Sequence, residues 1–559
     1  MYLRTIQRRN KDGSVVRYVQ LAHNVRHPES GNAMAEVIHS FGREDQLDRD
    51  ALGRLVRSIA RYLGPEAELE ATAAGSAESA PLRFLSSKAL GGAWTLDQLW
   101  RRLGVPEVMF KLLAGRRRDQ RAERVLFALV ANRALEPCSK LAATRWVSER
   151  AAIPGLDTVD DDACYRAMDW LLEIEDDLAE AVYFAVADLL NLEVDLLFFD
   201  TTSTYFEIEQ ADEPAAGETV GFRTFGHSKD HRPDLPQVVI GMAVTRTGIP
   251  IRVWCWPGNT NDSALIRQVK DDLRAWKLAR VVWVADRGFA SAENRRYLQR
   301  AGGHYIIGEK LRGESKEAAA ASARQGRYRS VAGNLRVKEV VIDDDTMRDR
   351  FVVCHNPEQA DRDKTIRCQL VAQLSDAIAG SDRLSKTARA ELAGELRAHP
   401  GYRRFLRTTP AGLLRIDRAA IAAEAKFDGK FLLRTSDPTL SAEDVALGYK
   451  QLLEVERGWR DMKSTLELRP VYHRLEDRIR AHVLLCWMAL LLIRLAECAT
   501  GDTWRNLRHE LDRMHLGEFT GSAGRVLQRT DTTPGQAAIF GALDVAEPRR
   551  FLGITPAGA

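Results

Sequence analysis

The sequence lacks the features of a disulfide-stabilised protein and of a structural zinc protein. Its 559 residues include seven cysteines, and no two of them form a Cys-x-x-Cys pair. Disulfide frameworks need paired cysteines and zinc sites need closely spaced ligands, so we expect reduced thiols in a cytosolic protein. The N-terminal segment Met-Tyr-Leu-Arg-Thr-Ile has no apolar stretch of signal-peptide length, which agrees with that location.

Long apolar runs and a strong charge of one sign are also absent. The most apolar segment, Val483 to Leu495, contains Arg494 and is shorter than the roughly 20 residues that span a bilayer. It therefore predicts a buried helix, and we expect no membrane association. The formal net charge is only +3, so composition alone does not indicate nucleic acid as a partner. A local run of arginines fits a solvated helix face and a phosphate-binding patch equally well: Arg116, Arg117, Arg118, Arg121 and Arg124.

Apolar spacing and turn residues divide the chain into segments. The length predicts three or four domains. Alternating apolar positions predict strands, and apolar residues spaced three or four apart predict helices. The predicted segments are a small β unit plus helix (1–65), a helical domain that could bind DNA (66–190), the first part of a catalytic core (191–310), an insertion (311–440), the second part of the core (441–500) and a C-terminal tail without an assigned function (501–559).

The segment 191–310 has an α/β order of elements. Three apolar runs at 196–199, 238–244 and 249–256 predict strands, the last two joined by a Thr-Gly turn. A helix is predicted over 262–276, with Asn261 or Asp262 as its cap, and Val281–Val284 predicts a strand parallel to the first. This order matches a ribonuclease H-like core. Further along, residues 335–342 and 350–354 predict a hairpin, and helices are predicted over 376–399 and 442–466.

Two aspartates follow hydrophobic strands in this segment. Asp200 comes after Leu-Leu-Phe-Phe, and Asp286 comes after Val-Val-Trp-Val-Ala. Neighbouring strands lie about 4.8 Å apart, so adjacent strands would let both carboxylates share a metal site. Oxygen ligands on a rigid sheet suit Mg²⁺ or Mn²⁺. Taken singly, an aspartate after a strand is more often a turn residue.

A third acid lies in the segment from Tyr449 to Lys463. Tyr449, Glu456 and Lys463 are spaced seven and seven, which returns a helix to within about 20° of the same direction. Glu454 points to roughly the opposite side, so Glu456 is the candidate ligand. Trp459 and Arg460 lie on or beside the same face, which could hold a metal ion, pair with phosphates and stack on a base. The alternative is an exposed helix with a Glu456–Arg460 salt bridge.

At these residues the chain resembles a known family. Phe-Phe-Asp200-Thr-Thr, Ala-Asp286-Arg-Gly and the segment from Tyr449 to Lys463 resemble the DDE transposases of bacterial insertion sequences. The group with a Tyr-x2-Arg-x3-Glu-x6-Lys signature is the most similar. The stretches from Gly226 to Gln237 and from Pro257 to Asp262 add to the resemblance, which covers about residues 190–495 and, more loosely, the N-terminal β unit.

The resemblance implies a fold and a metal site. The fold is an α/β, ribonuclease H-like mixed-sheet core interrupted by a β-rich insertion, with an α-helical N-terminal domain preceded by a small β unit. Two Mg²⁺ (or Mn²⁺) ions would be bound, with Asp200 bridging them and Asp286 and Glu456 each completing one side.

The resemblance also implies DNA partners. These are double-stranded DNA, both as terminal inverted repeats and as target, and a second copy of the chain in a homodimer on DNA. Tyr449 and Lys463 would contact phosphates of the element end. Further candidate DNA contacts on the sequence are Arg460, Trp459, Arg287, Lys229 and Arg232. Leu452 occupies the signature arginine position, which leaves open whether a DNA hairpin intermediate forms.

The expected activity is metal-dependent strand cleavage at transposon ends followed by strand transfer into target DNA, in the cytoplasm at the nucleoid. Three alternatives remain. Another ribonuclease H-like nuclease would cut without joining. An inactive, transposase-derived DNA-binding regulator would not need three clustered acids. A glycosidase would need an aromatic-rich cleft, whereas aromatic residues make up only 7% of the chain.

Overall fold

The computed structural model describes residues 2–9, 15–26, 33–63, 82–113, 121–189, 196–215, 217, 219–274, 276, 281–312, 315–344, 347–521 and 524–556. The chain forms two compact units, one of residues 1–189 with 462–559 and the other of residues 190–461.

The strands and helices of the described residues are numbered in chain order. The strands are β1 (Tyr2–Arg9), β2 (Val15–Arg26), β3 (Ala33–Arg43), β4 (Arg83–Ala89), β5 (Leu196–Tyr205), β6 (Gln237–Val244), β7 (Pro250–Pro257), β8 (Val282–Ala285), β9 (His304–Glu309), β10 (Arg329–Ala332), β11 (Leu335–Asp344), β12 (Met347–His355), β13 (Leu406–Thr408), β14 (Leu414–Ile416), β15 (Lys430–Thr435), β16 (His515–Gly521), β17 (Gly524–Arg529) and β18 (Phe551–Pro556). The α-helices are α1 (Arg49–Leu63), α2 (Gly91–Arg102), α3 (Val105–Leu113), α4 (Ala122–Leu135), α5 (Lys140–Arg145), α6 (Asp161–Glu173), α7 (Glu175–Leu189), α8 (Asp262–Arg274), α9 (Ala292–Gln299), α10 (Lys316–Ala323), α11 (Pro357–Ile378), α12 (Lys386–Ala398), α13 (Arg418–Ala425), α14 (Ala442–Lys450), α15 (Leu453–Ser464), α16 (Glu476–Thr500), α17 (Trp504–Leu511) and α18 (Pro534–Leu543).

The unit of residues 190–461 is built on a nine-stranded mixed sheet with the order β10-β11-β12-β15-β9-β8-β5-β6-β7. β5 pairs antiparallel with β6 and parallel with β8, which in turn pairs parallel with β9. The apolar runs of β5, β6 and β8 are buried along their length, as expected for strands covered on both faces. The predicted mixed α/β order of three antiparallel strands, a helix and a parallel strand is confirmed.

The parallel register of β5 and β8 sets the position of the two aspartates. Phe199 lies opposite Ala285, the last residue of β8. Asp200 and Asp286 are the next residues of their strands, at the same edge of the parallel pair. β5 itself continues to Tyr205 beside β6. Asp200 therefore lies inside a strand, whereas the sequence had indicated that it follows one.

Segment 311–440 differs from the predicted β-rich insertion because it contains long helices as well as strands. The predicted hairpin is present as β11 and β12, and it extends the core sheet. The single helix predicted over 376–399 is wrong. Gly380 has a left-handed φ of 75° and Ser385 caps a new helix by accepting the amide of Ala388, so α11 and α12 are separate. These helices enclose their own apolar cluster: Leu374, Ala393, Leu396, Phe405, Leu406 and Leu414.

The other unit begins with the predicted β sheet, β1-β2-β3, followed by α1. The predicted buried helix is present as α16, which packs against α4 and α6. By length and composition α16 is the one described helix that could cross a membrane, yet 78% of its apolar window is buried inside the protein. Of the arginine run, Arg124 is half-buried and paired with Asp97 and Glu123, whereas residues 116–118 lie outside the described part of the chain.

The C-terminal segment 501–559 is not a plain tail. β16, β17 and β18 form a four-stranded sheet with β4, and Thr533 and Gln536 form a capping box at the start of α18. β4 lies in the segment predicted to be helical. The partner of Ser86 in this sheet, Glu518, is 432 positions away in the sequence, so no local pattern could reveal the strand.

Gly258, next to β7, offers a test of close packing in the catalytic unit. A Cβ there would lie 2.0 Å from the carbonyl oxygen of Gln237 and 2.4 Å from that of Thr224. Since backbone cannot move aside cheaply, Gly258→Ala is expected to destabilise the protein by about 1–3 kcal/mol. The matched control is Gly394→Ala in α12, where the added methyl meets nothing within 4 Å and should stabilise the helix by up to about 1 kcal/mol. Urea unfolding measures both, and equal effects would contradict the packing argument.

Candidate active site

Asp200 and Asp286 lie side by side at the edge of the parallel strands. The side chain of Asp200 is 21% exposed and is flanked in β5 by buried Thr201. Asp286 begins a short 3-10 turn, and its Oδ1 accepts the amide of Gly288 at 2.6 Å. One carboxylate is thus held by a strand and the other by a capped turn, which fixes the backbone of both.

The two carboxylates interact electrostatically. The pKa of Asp200 is raised to about 6, first by burial and in part by the negative charges of Asp286 and Asp262, while the ammonium of Lys229 opposes the shift. A carboxylate that is mostly buried among other acids is costly unless a cation is near. This edge of the sheet therefore has the charge distribution of a cation-binding site.

The segment that carries Glu456 differs from the continuous helix predicted over 442–466. α14 ends at Lys450 and α15 begins at Leu453. The amide of Leu452 bonds the carbonyl of Tyr449, and the amide of Val455 bonds that of Leu452, both at 3.1 Å. These i→i+3 bonds tighten the chain into a turn between the two helices. The prediction that Tyr449, Glu456 and Lys463 share one helical face assumed a single continuous helix, so it does not hold as stated.

Tyr449 and Glu456 nevertheless line the same cleft of about 730 Å³, together with Asp286, Arg287 and Gly308. Burial raises the pKa of Tyr449 to about 12. The charges of Asp286, Asp200 and Glu456 also raise it, and Arg287 lowers it. The hydroxyl of Tyr449 is thus within electrostatic range of all three predicted acids. A Cβ on Gly308 would lie 2.4 Å from this hydroxyl, which shows how closely the ring packs on β9.

Glu454 and Glu456 lie in different surroundings. Glu454 packs against the turn between β6 and β7, since a Cβ on Gly248 would lie 2.8 Å from its Oε2. Glu456 is exposed and faces the cleft that Asp286 also lines. This placement agrees with the choice of Glu456 as the third acid.

A metal site formed by Asp200, Asp286 and Glu456 would consist of carboxylate oxygens only. That donor set fits Mg²⁺ or Mn²⁺, and a divalent cation would favour the charged form of Asp200, whose pKa is raised first by burial and then by the nearby acids. Within the part of the chain that the structure describes, no three His, Cys, Asp or Glu side chains are grouped closely enough to hold an ion. The three acids share one region, and their side chains would have to close around an ion.

The predicted DNA contacts fall into distinct environments. Arg287 and Arg460 are exposed, and Arg287 lines the cleft. Arg232 forms an ion pair with Asp234 at 2.7 Å and lies over the ring of Tyr205. Lys463 is half-buried in the last turn of α15, beyond the point where the second compact unit ends at Asp461.

Two residues of the signature segment, Trp459 and Leu452, are buried. Trp459 is only 6% exposed, so its ring has no accessible face on which a base could stack. The prediction that it lies on the exposed face is wrong, because the turn at 451–452 rotates α15 and directs the indole into the core. Leu452 is 9% exposed and lines the cleft at the signature arginine position, while Arg457 pairs with Glu454 at 3.9 Å.

Asp262 is the functional candidate that sequence reasoning missed. It is the first residue of α8, and its Oδ2 forms an ion pair with the ammonium of Lys229 at 2.9 Å. Its stretch, Pro257 to Asp262, had been noted only as part of the family resemblance and as a helix cap. Gly308 was missed as well, since no local pattern shows that Tyr449 packs on it.

The sequence was compared with known proteins. It matches the model of the transposase DDE domain over residues 217–492 and that of the IS1634 family transposase N-terminal domain over residues 3–71. Asp286 and Glu456 lie within the first match, and Asp200 precedes it. No curated protein matches the chain. Among solved structures it is similar to the piggyBac transposase synaptic complex with hairpin DNA, with 10% identity, a TM-score of 0.35, and coverage of 75% of this chain and 79% of that one.

The first match defines the class, an enzyme with a DDE catalytic domain. With the second match, the chain belongs to the DDE transposases of bacterial insertion sequences. The predicted family and the predicted transposase activity are thereby confirmed.

The contact between Gly308 and Tyr449 can be tested with a pair of variants. Gly308→Ala is expected to destabilise the protein by about 1–3 kcal/mol, because the methyl would collide with the Tyr449 hydroxyl. In a Tyr449→Phe background the hydroxyl is gone, so the same substitution should cost clearly less. Thermal unfolding of the four proteins measures the difference, and an equal cost in both backgrounds would exclude the contact.

The raised pKa of Asp200 predicts a pH dependence of stability without added metal. Between about pH 4 and pH 6 the folded chain keeps a proton on Asp200 that the unfolded chain loses. Relative to Asp200→Asn, the wild-type protein should be most stable near pH 4 and lose that advantage, at most about 3 kcal/mol, as the pH rises through 6. Thermal midpoints of both proteins in a chelator across this range measure the effect. A difference that stays flat or grows with pH would be inconsistent with the shift.

Proposed function

We propose that this transposase cuts DNA strands at the ends of its element and transfers the freed 3′ ends into target DNA, using Asp200, Asp286 and Glu456 to hold two divalent ions. The observation that carries this assignment is the parallel register of β5 and β8, which sets Asp200 beside Asp286, together with the cleft that Asp286 and Glu456 both line. These acids come from β5, from the end of β8 and from α15, so the proposed site would exist only in the folded chain.

The arrangement of strands supports a ribonuclease H-like core. β7-β6-β5-β8-β9 form a run in which the first three strands are antiparallel and β5, β8 and β9 are parallel. The acids lie at one edge of the central pair, and segment 311–440 interrupts the core before α15 supplies the third acid.

The ions would be Mg²⁺ or Mn²⁺, as the carboxylate ligands suggest. When bound, such a pair of ions lowers the pKa of an attacking water or 3′-hydroxyl and stabilises the departing oxygen. The chain's own contribution is to hold Asp200 and Asp286 on rigid backbone and to let Glu456, on the exposed side of α15, complete the site. Tyr449 is kept protonated by its burial, so its hydroxyl can donate a hydrogen bond to a phosphate.

The DNA partners are the terminal inverted repeats and the target, bound as double-stranded DNA by a homodimer in the cytoplasm at the nucleoid. Arg287, Tyr449, Arg460 and Lys463 are the proposed phosphate contacts of the catalytic segment. Arg232 could join them only by giving up its pair with Asp234.

The acids are tested by conservative substitutions. Asp200→Asn, Asp286→Asn and Glu456→Gln should each reduce Mg²⁺-dependent cleavage of element-end DNA at least about 100-fold, since each removes a charged ligand. Each variant should keep its thermal midpoint and its affinity for the same DNA. The matched control is Glu454→Gln, two residues away on the same helix, which should cleave like the wild type.

The same assay separates the alternatives. A transposase joins the cut 3′ end to a second duplex, whereas a plain nuclease yields cleaved ends alone. Full cleavage by Asp200→Asn, or loss of cleavage by Glu454→Gln and not by Glu456→Gln, would overturn the assignment of the acids.

A further inference from the structure

The ammonium group of Lys229 reaches into the acid cluster. It donates to the carbonyl oxygen of Thr201 at 2.7 Å and to the hydroxyl of Thr201 at 2.5 Å, and it forms an ion pair with Oδ2 of Asp262 at 2.9 Å. Its distance to Oδ1 of Asp200 is 3.8 Å. Lys229 therefore lies beside Asp200, one of the three proposed metal ligands, but closer to Asp262.

A count of donors shows what this lysine can do. An ammonium has three N–H groups, of which two are donated to the two oxygens of Thr201, while the charge of Asp262 attracts it at 2.9 Å. The distance to Asp200 is too long for a hydrogen bond but short enough for strong attraction between the charges. The lysine thus compensates the charge of Asp200 without occupying the oxygens of that carboxylate.

The backbone fixes this arrangement from both sides. The amide of Lys229 donates to Oγ of Ser203 in β5 at 2.9 Å. Gly226, three residues earlier, packs so closely on the chain after β7 that a Cβ there would lie 2.0 Å from the carbonyl oxygen of Gly258. Asp262 follows four residues after Gly258, at the start of α8. The loop that carries Lys229 and the helix that carries Asp262 are therefore anchored to each other and to β5.

We propose that Asp262 and Thr201 hold the Lys229 ammonium away from Asp200, which leaves both oxygens of the Asp200 carboxylate open to a divalent cation. This inference rests on the proposed function, because it takes Asp200 as a metal ligand. It makes Lys229, Thr201 and Asp262 positioning residues of the active site. It also replaces the role in DNA binding that the sequence suggested for Lys229.

The proposal predicts opposite effects for the two ends of the ion pair. Without its ammonium, the Lys229→Met variant no longer repels the incoming cation, so its affinity for Mn²⁺ should rise on the order of tenfold. In Asp262→Asn the ammonium loses its charged acceptor and turns to Asp200, so the affinity should fall on the order of tenfold. Thr201→Val removes one acceptor without changing any charge and should lower the affinity in the same direction, by less.

The experiment titrates Mn²⁺ into the full-length, metal-free protein without DNA and follows binding by calorimetry. The double variant Lys229→Met/Asp262→Asn decides whether Asp262 acts through the lysine. With no ammonium to hold, Asp262→Asn should have little effect, so the double variant should bind Mn²⁺ about as tightly as Lys229→Met. Metal-free thermal midpoints provide an independent readout, and Lys229→Met should melt lower than the wild type because its acids lose their internal counter-charge.

Two results would overturn the inference. One is a fall in Mn²⁺ affinity in Lys229→Met, which a merely structural lysine would give. The other is an equal effect of Asp262→Asn in both backgrounds, which would mean that Asp262 acts on the ion directly. Asp200→Asn distinguishes a failure of the underlying site. If that variant binds Mn²⁺ as the wild type does, the proposed metal site itself is wrong.

Discussion

The repulsion between acids gathered at one edge of a sheet is the constraint on which this catalytic unit depends. Placing Asp200 and Asp286 on adjacent parallel strands puts two carboxylates at neighbouring positions, and burial makes the charge of Asp200 costly. Two features of the surroundings reduce the repulsion between these carboxylates. A lysine supplies fixed positive charge, and a cleft on the same side leaves room for ions and for a phosphate backbone.

The fold achieves this by assembling pieces that are far apart in the chain. A hairpin and a parallel strand order are local properties of residues 196–307, and they suffice to place two of the acids. The third acid arrives from a helix that begins only after the inserted segment. Its position depends on the tight turn at Gln451 and Leu452, and on Tyr449 packing against a glycine of β9. The inserted strands β10, β11, β12 and β15 widen the sheet on that side, so the insertion is structurally continuous with the core.

How much of this structure could be predicted from the sequence depends on how far apart in the chain the interacting residues are. Strands that are buried on both faces appear in the sequence as apolar runs. For this reason β5, β6, β7 and β8 could be predicted, and Asp200 and Asp286 could be identified beside them. Glu456 was chosen through spacing on a helix that proved to be broken. It lines the same cleft as Asp286, and its role as the third acid stays a prediction. Trp459 was misplaced, since the break that rotates its helix is made by backbone hydrogen bonds with no residue signature. Asp262 was missed because its partner Lys229 is on another loop, and β4 was missed because its partners lie at the other end of the chain.

The discontinuity of the first compact unit has a consequence for biosynthesis. The catalytic unit is continuous in sequence, so all of its strands have left the ribosome before residue 500 is made, and it can fold while translation proceeds. β4 emerges early, but its neighbour β16 begins only at His515. Until β16 is made, the edge of β4 that pairs with it has no partner, and an unpaired strand edge is a known cause of aggregation. A gene truncated near its 3′ end would still encode the three acids but would leave that edge permanently without its partner.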